Sequence, residues 1–187
     1  MKKNFFTVIF AVLILTGCVK YDDPSDYFTG EDSVASITDS EIKAAFDDTN
    51  SFRTGSEAWY WNSDDSTKTD LTGTLSALTF DEKLAKAAAI RAEEIASSFS
   101  HTRPDGTTCY TVLAEVGASC GAYGENIAAG YRTGNSVVLG WREDDDSYSG
   151  QGHRRNMLSS DFKKIGIAYY DKSGSTYGRY WAMELSD

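Results

Sequence analysis

The spacing of apolar residues changes along this chain, and that change restricts the folds open to it. Through most of the chain they recur every three to four positions, as on one face of a helix, whereas near the C-terminus they alternate, as in a strand. Helices first and strands last predict an α+β domain with helices packed on an antiparallel sheet. The 187 residues suffice for one such domain with a real core.

Three segments carry helical signals. The first opens at an N-cap, Asp39 or Thr38, and its apolar side carries Ile42, Ala45 and Phe46. The second begins with a capping-box pattern from Thr79 to Glu82, and its apolar face carries Leu84, Ala88, Ile95 and Phe99. We expect its charged residues to face solvent on the other sides, namely Arg91, Glu93 and Glu94. A shorter helix is predicted over 136–141.

Two strands are predicted at the C-terminus, over 164–170 and 180–185. In the second, Trp181, Met183 and Leu185 alternate with Ala182 and Glu184. The residues between the two strands are Gly, Ser, Asp and Lys, with a Thr and a Tyr, which is turn chemistry. An antiparallel hairpin is therefore expected.

The N-terminus has the form of a signal peptide over residues 1–17, with Lys2 and Lys3 ahead of a short apolar run. That run is too short to span a bilayer, which takes about 20 apolar residues. Its end, Thr16-Gly17-Cys18, resembles a bacterial lipobox, which predicts a lipid on Cys18 and a flexible acidic spacer over 18–36. An ordinary secretory peptide cleaved nearby is the alternative. Both predict export, and the lipid would hold the protein at the extracytoplasmic face of a bacterial membrane.

The net charge excludes some classes of binding partner, and the cysteine content allows one disulfide. A formal net charge of −10 argues against a nucleic-acid partner and against adsorption to anionic lipid, so membrane attachment would depend on the lipid. With Cys18 acylated, Cys109 and Cys120 remain as a candidate disulfide. Two free thiols are the alternative.

The two histidines of the chain lie in polar, turn-rich sequence. His101 precedes a Pro- and Gly-containing turn, His153 follows two glycines, and Glu125 lies between them at the start of a short apolar segment. Two imidazoles and a carboxylate recur in sites for metal binding or proton transfer. Taken singly, a loop histidine is more often a surface residue, so spacing alone leaves a shared site open.

The chain resembles a bacterial member of the CAP superfamily, the SCP-like group of cysteine-rich secretory, antigen 5 and pathogenesis-related 1 proteins. The motifs that carry the resemblance are SHTRPDG at 100–106, GENIA at 124–128, Trp141, and GHRRNML at 152–158. It covers residues 37–187 and implies a single domain, a three-layer α-β-α sandwich with a central antiparallel sheet. It also implies a cleft where His101, Glu125 and His153 meet, in which some relatives bind a divalent metal.

The resemblance implies a second acid three residues after Trp141, which is Asp144 here. The acidic run that follows is longer than in simple bacterial relatives, so Glu143 is an alternative, and a solvated loop is another. Such ligands would suit Zn²⁺ best among divalent ions.

Two functions remain open. One is a non-catalytic module that binds an extracellular lipid, wall component or protein; the other is a hydrolase of peptide, ester or wall substrates using His101, Glu125 and His153. The sequence has no nucleophile motif such as Gly-x-Ser-x-Gly and no His-Glu-x-x-His, which favours the binding module.

Overall fold

The computed structural model describes residues 37–187. The predicted signal peptide, the lipidated Cys18 and the spacer lie outside these residues. Within the described part, no helix is both long and apolar enough to cross a membrane.

Helices occupy five segments of the described chain, and a short 3-10 turn, Cys109–Thr111, leads into the third. They are α1 (Ser40–Thr54), α2 (Glu82–Ile95), α3 (Val112–Glu115), α4 (Gly134–Arg142) and α5 (Gly152–Met157). The three predicted helices correspond to α1, α2 and α4.

Strands form a small hairpin and a larger sheet. They are β1 (Trp59–Trp61), β2 (Lys68–Asp70), β3 (Thr79–Phe80), β4 (Tyr123–Ala129), β5 (Lys164–Asp171) and β6 (Arg179–Ser186). The β1–β2 hairpin stands apart from a four-stranded sheet of order β3-β5-β6-β4. The predicted antiparallel hairpin is confirmed as β5–β6, and β4 pairs antiparallel with β6. The two-residue β3 departs from the expected antiparallel pattern, because it runs parallel to β5.

The sheet lies between two helical layers. Helix α2 packs on the face that carries Ala168 and Ala182, where it buries Ala88 and Ala92. Helices α1, α4 and α5 cover the opposite face, which carries residues such as Met183. The α-β-α sandwich is confirmed. Because helices cover both faces of the sheet, the side chains of β6 are buried on whichever face they point to.

Helix α2 begins later and ends earlier than the sequence predicts. Its N-cap is Asp81, which accepts a hydrogen bond from the backbone of Leu84 at 2.9 Å, and not Thr79, which is already paired with β5. The expected apolar contact of Phe99 is wrong, since this side chain lies beyond the helix and is 54% exposed. The predicted N-cap of α1 is confirmed as Asp39.

A close approach between α2 and β5 sets the position of this helix. A Cβ at Gly166 would lie 2.1 Å from the backbone nitrogen of Ala85, so only glycine permits this contact. The buried face of α2 is largely alanine, which also brings the helix close to the sheet. The result is that α2 lies directly over β5 and β6.

Candidate functional site

A polar cleft of about 380 Å³ opens at the edge strand β4. It brings together four of the predicted residues, His101, Glu125, His153 and Glu143. The full lining consists of His101, Glu125, Glu143, Ser149, Gly150, Gly152, His153, Arg155 and Asn156. Two imidazole–carboxylate pairs therefore face one cleft.

The first pair joins the loop after α2 to strand β4. The Nδ1 of His101 lies 2.6 Å from Oε1 of Glu125. The His101 side chain is 55% exposed, whereas that of Glu125 is 1% exposed. The imidazole is thus the accessible member, and the carboxylate holds it from below.

Arg91 of α2 supports Glu125 from inside the protein. Its Nε donates to Oε2 of Glu125 at 2.6 Å and its Nη2 donates to Oε1 at 3.3 Å, while the guanidinium is fully buried. The expectation of a solvated Arg91 is therefore wrong. Arg91 lies three residues after Ala88 and four before Ile95, a helical spacing that places it on the buried face.

Charge around Glu125 favours its ionised form. Burial opposes ionisation, but the hydrogen bonds from His101 and Arg91 outweigh it and hold the pKa of Glu125 below its usual range. Burial also opposes the charge of Arg91, and the carboxylates of Glu125 and Glu94 nevertheless raise the Arg91 pKa. The pair is therefore charged and mutually stabilised.

Glu184 of β6 lies next to this pair, and its pKa is shifted in the opposite direction to that of Glu125. It is fully buried, and the hydroxyl of Tyr123 donates to its Oε2. Its Oε1 has no hydrogen-bond partner in the described residues. Burial and the nearby charge of Glu125 raise the pKa of Glu184 well above normal, which favours its neutral form.

The second pair lies on the other side of β4. The Nδ1 of His153 is 2.5 Å from Oε1 of Glu143, and the backbone nitrogen of His153 donates to Oε2 at 3.0 Å. Glu143 is the C-cap of α4 and has a left-handed backbone, with φ of 49°. This turn directs its carboxylate to the start of α5.

Asp144, the other candidate for the second acid, does not line the cleft. Its Oδ1 accepts a hydrogen bond from Nη1 of the buried Arg154 at 2.5 Å, and its Oδ2 pairs with Arg142 at 2.9 Å. The left-handed turn at Glu143 separates the two neighbouring carboxylates. Glu143 therefore lies in the cleft, and Asp144 takes part in a structural ion pair.

Two asparagines connect the halves of the cleft. Asn126 donates to the backbone carbonyl of His153 at 3.1 Å, and Asn156 donates to the carbonyl of Glu125 at 3.2 Å. Asn156 also donates to Oδ1 of Asn126 at 2.8 Å. These bonds tie α5 to the open edge of β4, and they account for the asparagine in each of the two motifs.

The candidate disulfide is not formed, because Cys109 and Cys120 are both free. Cys109 lies with His101 and Glu125, and one ligand atom from each of the three falls within 4.8 Å of the others. Cys120 is exposed and lines a different pocket, with Lys83 and Lys164. Burial and nearby carboxylates raise the pKa of Cys109 to about 11, so its thiol is protonated at neutral pH.

The two pairs have the chemistry of a metal site. A carboxylate holds Nδ1 of each histidine, which leaves the Nε2 atoms for a ligand. Histidine ligands of metals characteristically donate their other ring N–H to a carboxylate in this way. Among the described residues, the histidine, cysteine and acidic side chains that come close enough to hold an ion are His101, Cys109 and Glu125.

Comparison with known proteins gives a family match and two related sequences. The model of the cysteine-rich secretory protein family, CAP, matches residues 46–185. An uncharacterized protein of Bacillus subtilis, YkwD, is 32% identical over 105 residues, which are 55% of this chain and 38% of that protein. The secreted protein PRY1 of Candida albicans is 31% identical over 46% of this chain and 22% of its own length. The chain thus spans well under half of each relative.

Solved structures share the fold at low identity. An extracellular SCP-domain protein of Bacillus anthracis has a TM-score of 0.59 at 24% identity, covering 82% of this chain and 42% of that one. An outer surface protein of Borrelia burgdorferi has a TM-score of 0.58 at 20% identity, covering 79% of this chain and 92% of that one. Several of these relatives are described as secreted, extracellular or outer surface proteins.

Proposed function

The chain belongs to the cysteine-rich secretory protein (CAP) family, and on that premise we propose that it is an exported binding module whose cleft holds a divalent metal ion. The secreted and extracellular relatives support export. The lipobox-like segment ending at Cys18 supports a lipid anchor at the outer face of a bacterial membrane, with residues 37–187 as the single folded domain.

The observation that carries this proposal is that the two histidines are held in the same way, each by a carboxylate. His101 and His153 line one cleft, and a carboxylate fixes each of them through Nδ1. Imidazole suits Zn²⁺ and tolerates other divalent ions. A bound ion would supply a Lewis-acidic centre that attracts anionic groups of an extracellular ligand.

The geometry gives the hydrolase alternative less support. A general base must reach the proton it removes, but Glu125 is almost fully buried and is held by Arg91 and His101. Its lowered pKa also makes it a weak base. A role in orienting His101 accounts for its contacts better than catalysis does.

The lining of the cleft favours a polar ligand. All nine lining residues are polar, charged or glycine, so a wall component or a protein carrying an anionic group suits this cleft better than a lipid chain does. A separate cavity of about 400 Å³ between α1 and α4 has a more apolar lining that includes Phe52, Val138 and Leu139. A lipid would find its apolar contacts there.

Calorimetric titration of Zn²⁺ into the purified, metal-free protein tests the proposal. We expect tight Zn²⁺ binding in the protein and its loss in a His101→Ala/His153→Ala variant. His153→Ala alone should also weaken binding, because the proposal needs both histidines. Asp144→Asn serves as the matched control, since Asp144 adjoins Glu143 but lies outside the cleft. Equal affinity in the protein and the double variant would end the proposal.

A further inference from the structure

We propose that His101, Cys109 and Glu125 form a second cation position at the His101 end of the cleft, one that takes thiophilic ions such as Zn²⁺ or Cd²⁺. One ligand atom from each of these three side chains lies within 4.8 Å of the other two. Among the described residues, this is the group of histidine, cysteine and acidic side chains that comes close enough to hold an ion.

A closed turn holds Cys109 beside His101. The backbone nitrogen of Cys109 donates to the carbonyl of His101 at 3.1 Å, and Thr102 and Thr108 form a bridge inside that bond. Both ends of the turn are thus fixed by backbone hydrogen bonds. The backbone of this turn therefore places the thiol of Cys109 close to the imidazole of His101.

Arg103 anchors the turn to the helical layer. Its Nη2 donates to Glu94 of α2 at 2.6 Å and its Nη1 donates to Glu115 of α3 at 2.6 Å, and the guanidinium is 7% exposed. A ligand pair carried on a fixed turn loses little conformational entropy when an ion binds. The site is therefore preorganised on the protein side.

The distances suit a small rearrangement on binding. Bonds from Zn²⁺ to nitrogen and sulfur are about 2.0–2.3 Å, so ligands of one tetrahedral ion lie about 3.5 Å apart. The three side chains must therefore shift by about 1 Å, and the 55% exposure of His101 leaves space for its share of that shift. The cleft beside His101 leaves room for water as a fourth ligand.

Glu125 can contribute an oxygen without leaving Arg91. The shorter bond from Arg91 goes to Oε2, at 2.6 Å, and the bond to Oε1 is longer, at 3.3 Å. Oε1 is also the atom that faces His101.

The thiol gives this position a selectivity that two histidines alone would not have. Sulfur ligands select soft ions such as Zn²⁺ and Cd²⁺ over Mg²⁺ and Ca²⁺, which prefer oxygen. The inference rests on the proposed use of His101 as a ligand, but it does not need His153. The thiol site and the two-histidine cleft can therefore be disproved independently of each other.

The test is titration of Co²⁺ into the reduced protein, with absorption spectra recorded for four forms. These are the unchanged protein and the variants Cys109→Ser, Cys120→Ser and His153→Ala. A thiolate bound to Co²⁺ gives an intense near-ultraviolet charge-transfer band, which imidazole and carboxylate ligands do not give. We expect this band in the protein, Cys120→Ser and His153→Ala, and its loss in Cys109→Ser. Circular dichroism shows whether each variant is folded.

The outcomes separate this inference from the proposed function. Absence of the band from the unchanged protein, or its persistence in Cys109→Ser, overturns the thiol site. Loss of all Co²⁺ binding in His153→Ala also overturns it and supports the two-histidine cleft. If Cys109→Ser binds no ion while His153→Ala binds normally, the thiol site stands and the two-histidine cleft falls.

Discussion

Glu125 and Glu184 lie directly opposite each other on the neighbouring strands β4 and β6, on the face of the sheet that α2 covers. Like charges in such a pair destabilise a sheet, and here the two carboxyls differ in state. Hydrogen bonds from His101 and Arg91 lower the pKa of Glu125, whereas burial raises that of Glu184. The ionised form is therefore favoured on one member of the pair and the neutral form on the other.

Replacing the buried acid should stabilise the protein at neutral pH. Because the folded-state pKa of Glu184 is raised, its contribution to stability is full in acid and is lost as pH rises. Gln needs no proton and still accepts the hydrogen bond from Tyr123. We expect Glu184→Gln to raise the free energy of unfolding by at least about 1 kcal/mol at pH 7 and by little below about pH 4. Urea unfolding across this pH range measures the difference, and parallel pH profiles would contradict it.

Breaking the buried ion pair should be costly. Arg91→Met leaves Glu125 charged and buried without its main partner, and such losses cost about 3–5 kcal/mol. Glu125→Gln should cost a similar amount because it leaves the buried Arg91 with Glu94 as its remaining carboxylate partner, beside the carbonyl of Ser100. The double variant should lose less than the sum of the two, and urea unfolding of all four forms gives the coupling energy. Additive losses would show that the two residues act independently.

Of the two adjacent acids after Trp141, Glu143 should affect Zn²⁺ binding and Asp144 should affect the stability of the fold. Glu143→Gln should weaken Zn²⁺ binding about 10–100-fold, because the carboxylate behind a histidine ligand orients it. Asp144→Asn should leave Zn²⁺ affinity nearly unchanged but should lower the free energy of unfolding by about 1–3 kcal/mol, because Arg154 loses a charged acceptor. Calorimetry and urea unfolding of both variants check the pair. The reverse pattern would place Asp144 in the cleft.

Membrane attachment should depend on one atom. Cys18→Ser removes the thiol that the lipid requires, and the acidic domain has no charge attraction to anionic lipid to replace it. We expect the variant to leave the membrane fraction of the host, while Cys120→Ser stays with it. Immunoblots of membrane and soluble fractions measure this. A membrane-bound Cys18→Ser variant would mean that another segment is the anchor.

The fold was predictable where local signals were strong. The cap of α1, the periodicity of α1 and α2 and the alternation of β6 are visible in the sequence, because each depends on neighbours within a few positions. Strand β4 was missed as a strand because it contains Gly124 and two alanines, which carry little strand preference. Its pairing with β6 depends on residues far away in the chain.

The site was predictable in its accessible residues and not in its buried ones. Motifs pointed to His101, Glu125 and His153, but charged Arg91 and Glu184 have the composition of surface residues. Only the packing of α2 against the sheet shows that both are buried near Glu125. The choice between Glu143 and Asp144 likewise depended on one left-handed residue, which a run of acids does not reveal.

The position of β4 at the rim of the sheet has a dynamic consequence. This strand has a partner strand on one side only, and its other side is bonded by the side chain of Asn156. Because Glu125 and Asn126 point to opposite layers, fraying of this one strand would loosen both halves of the cleft together. An ion bound in the cleft would then slow hydrogen exchange of the backbone amides along β4. Ion binding would therefore be measurable at the backbone as well as at the ligand side chains.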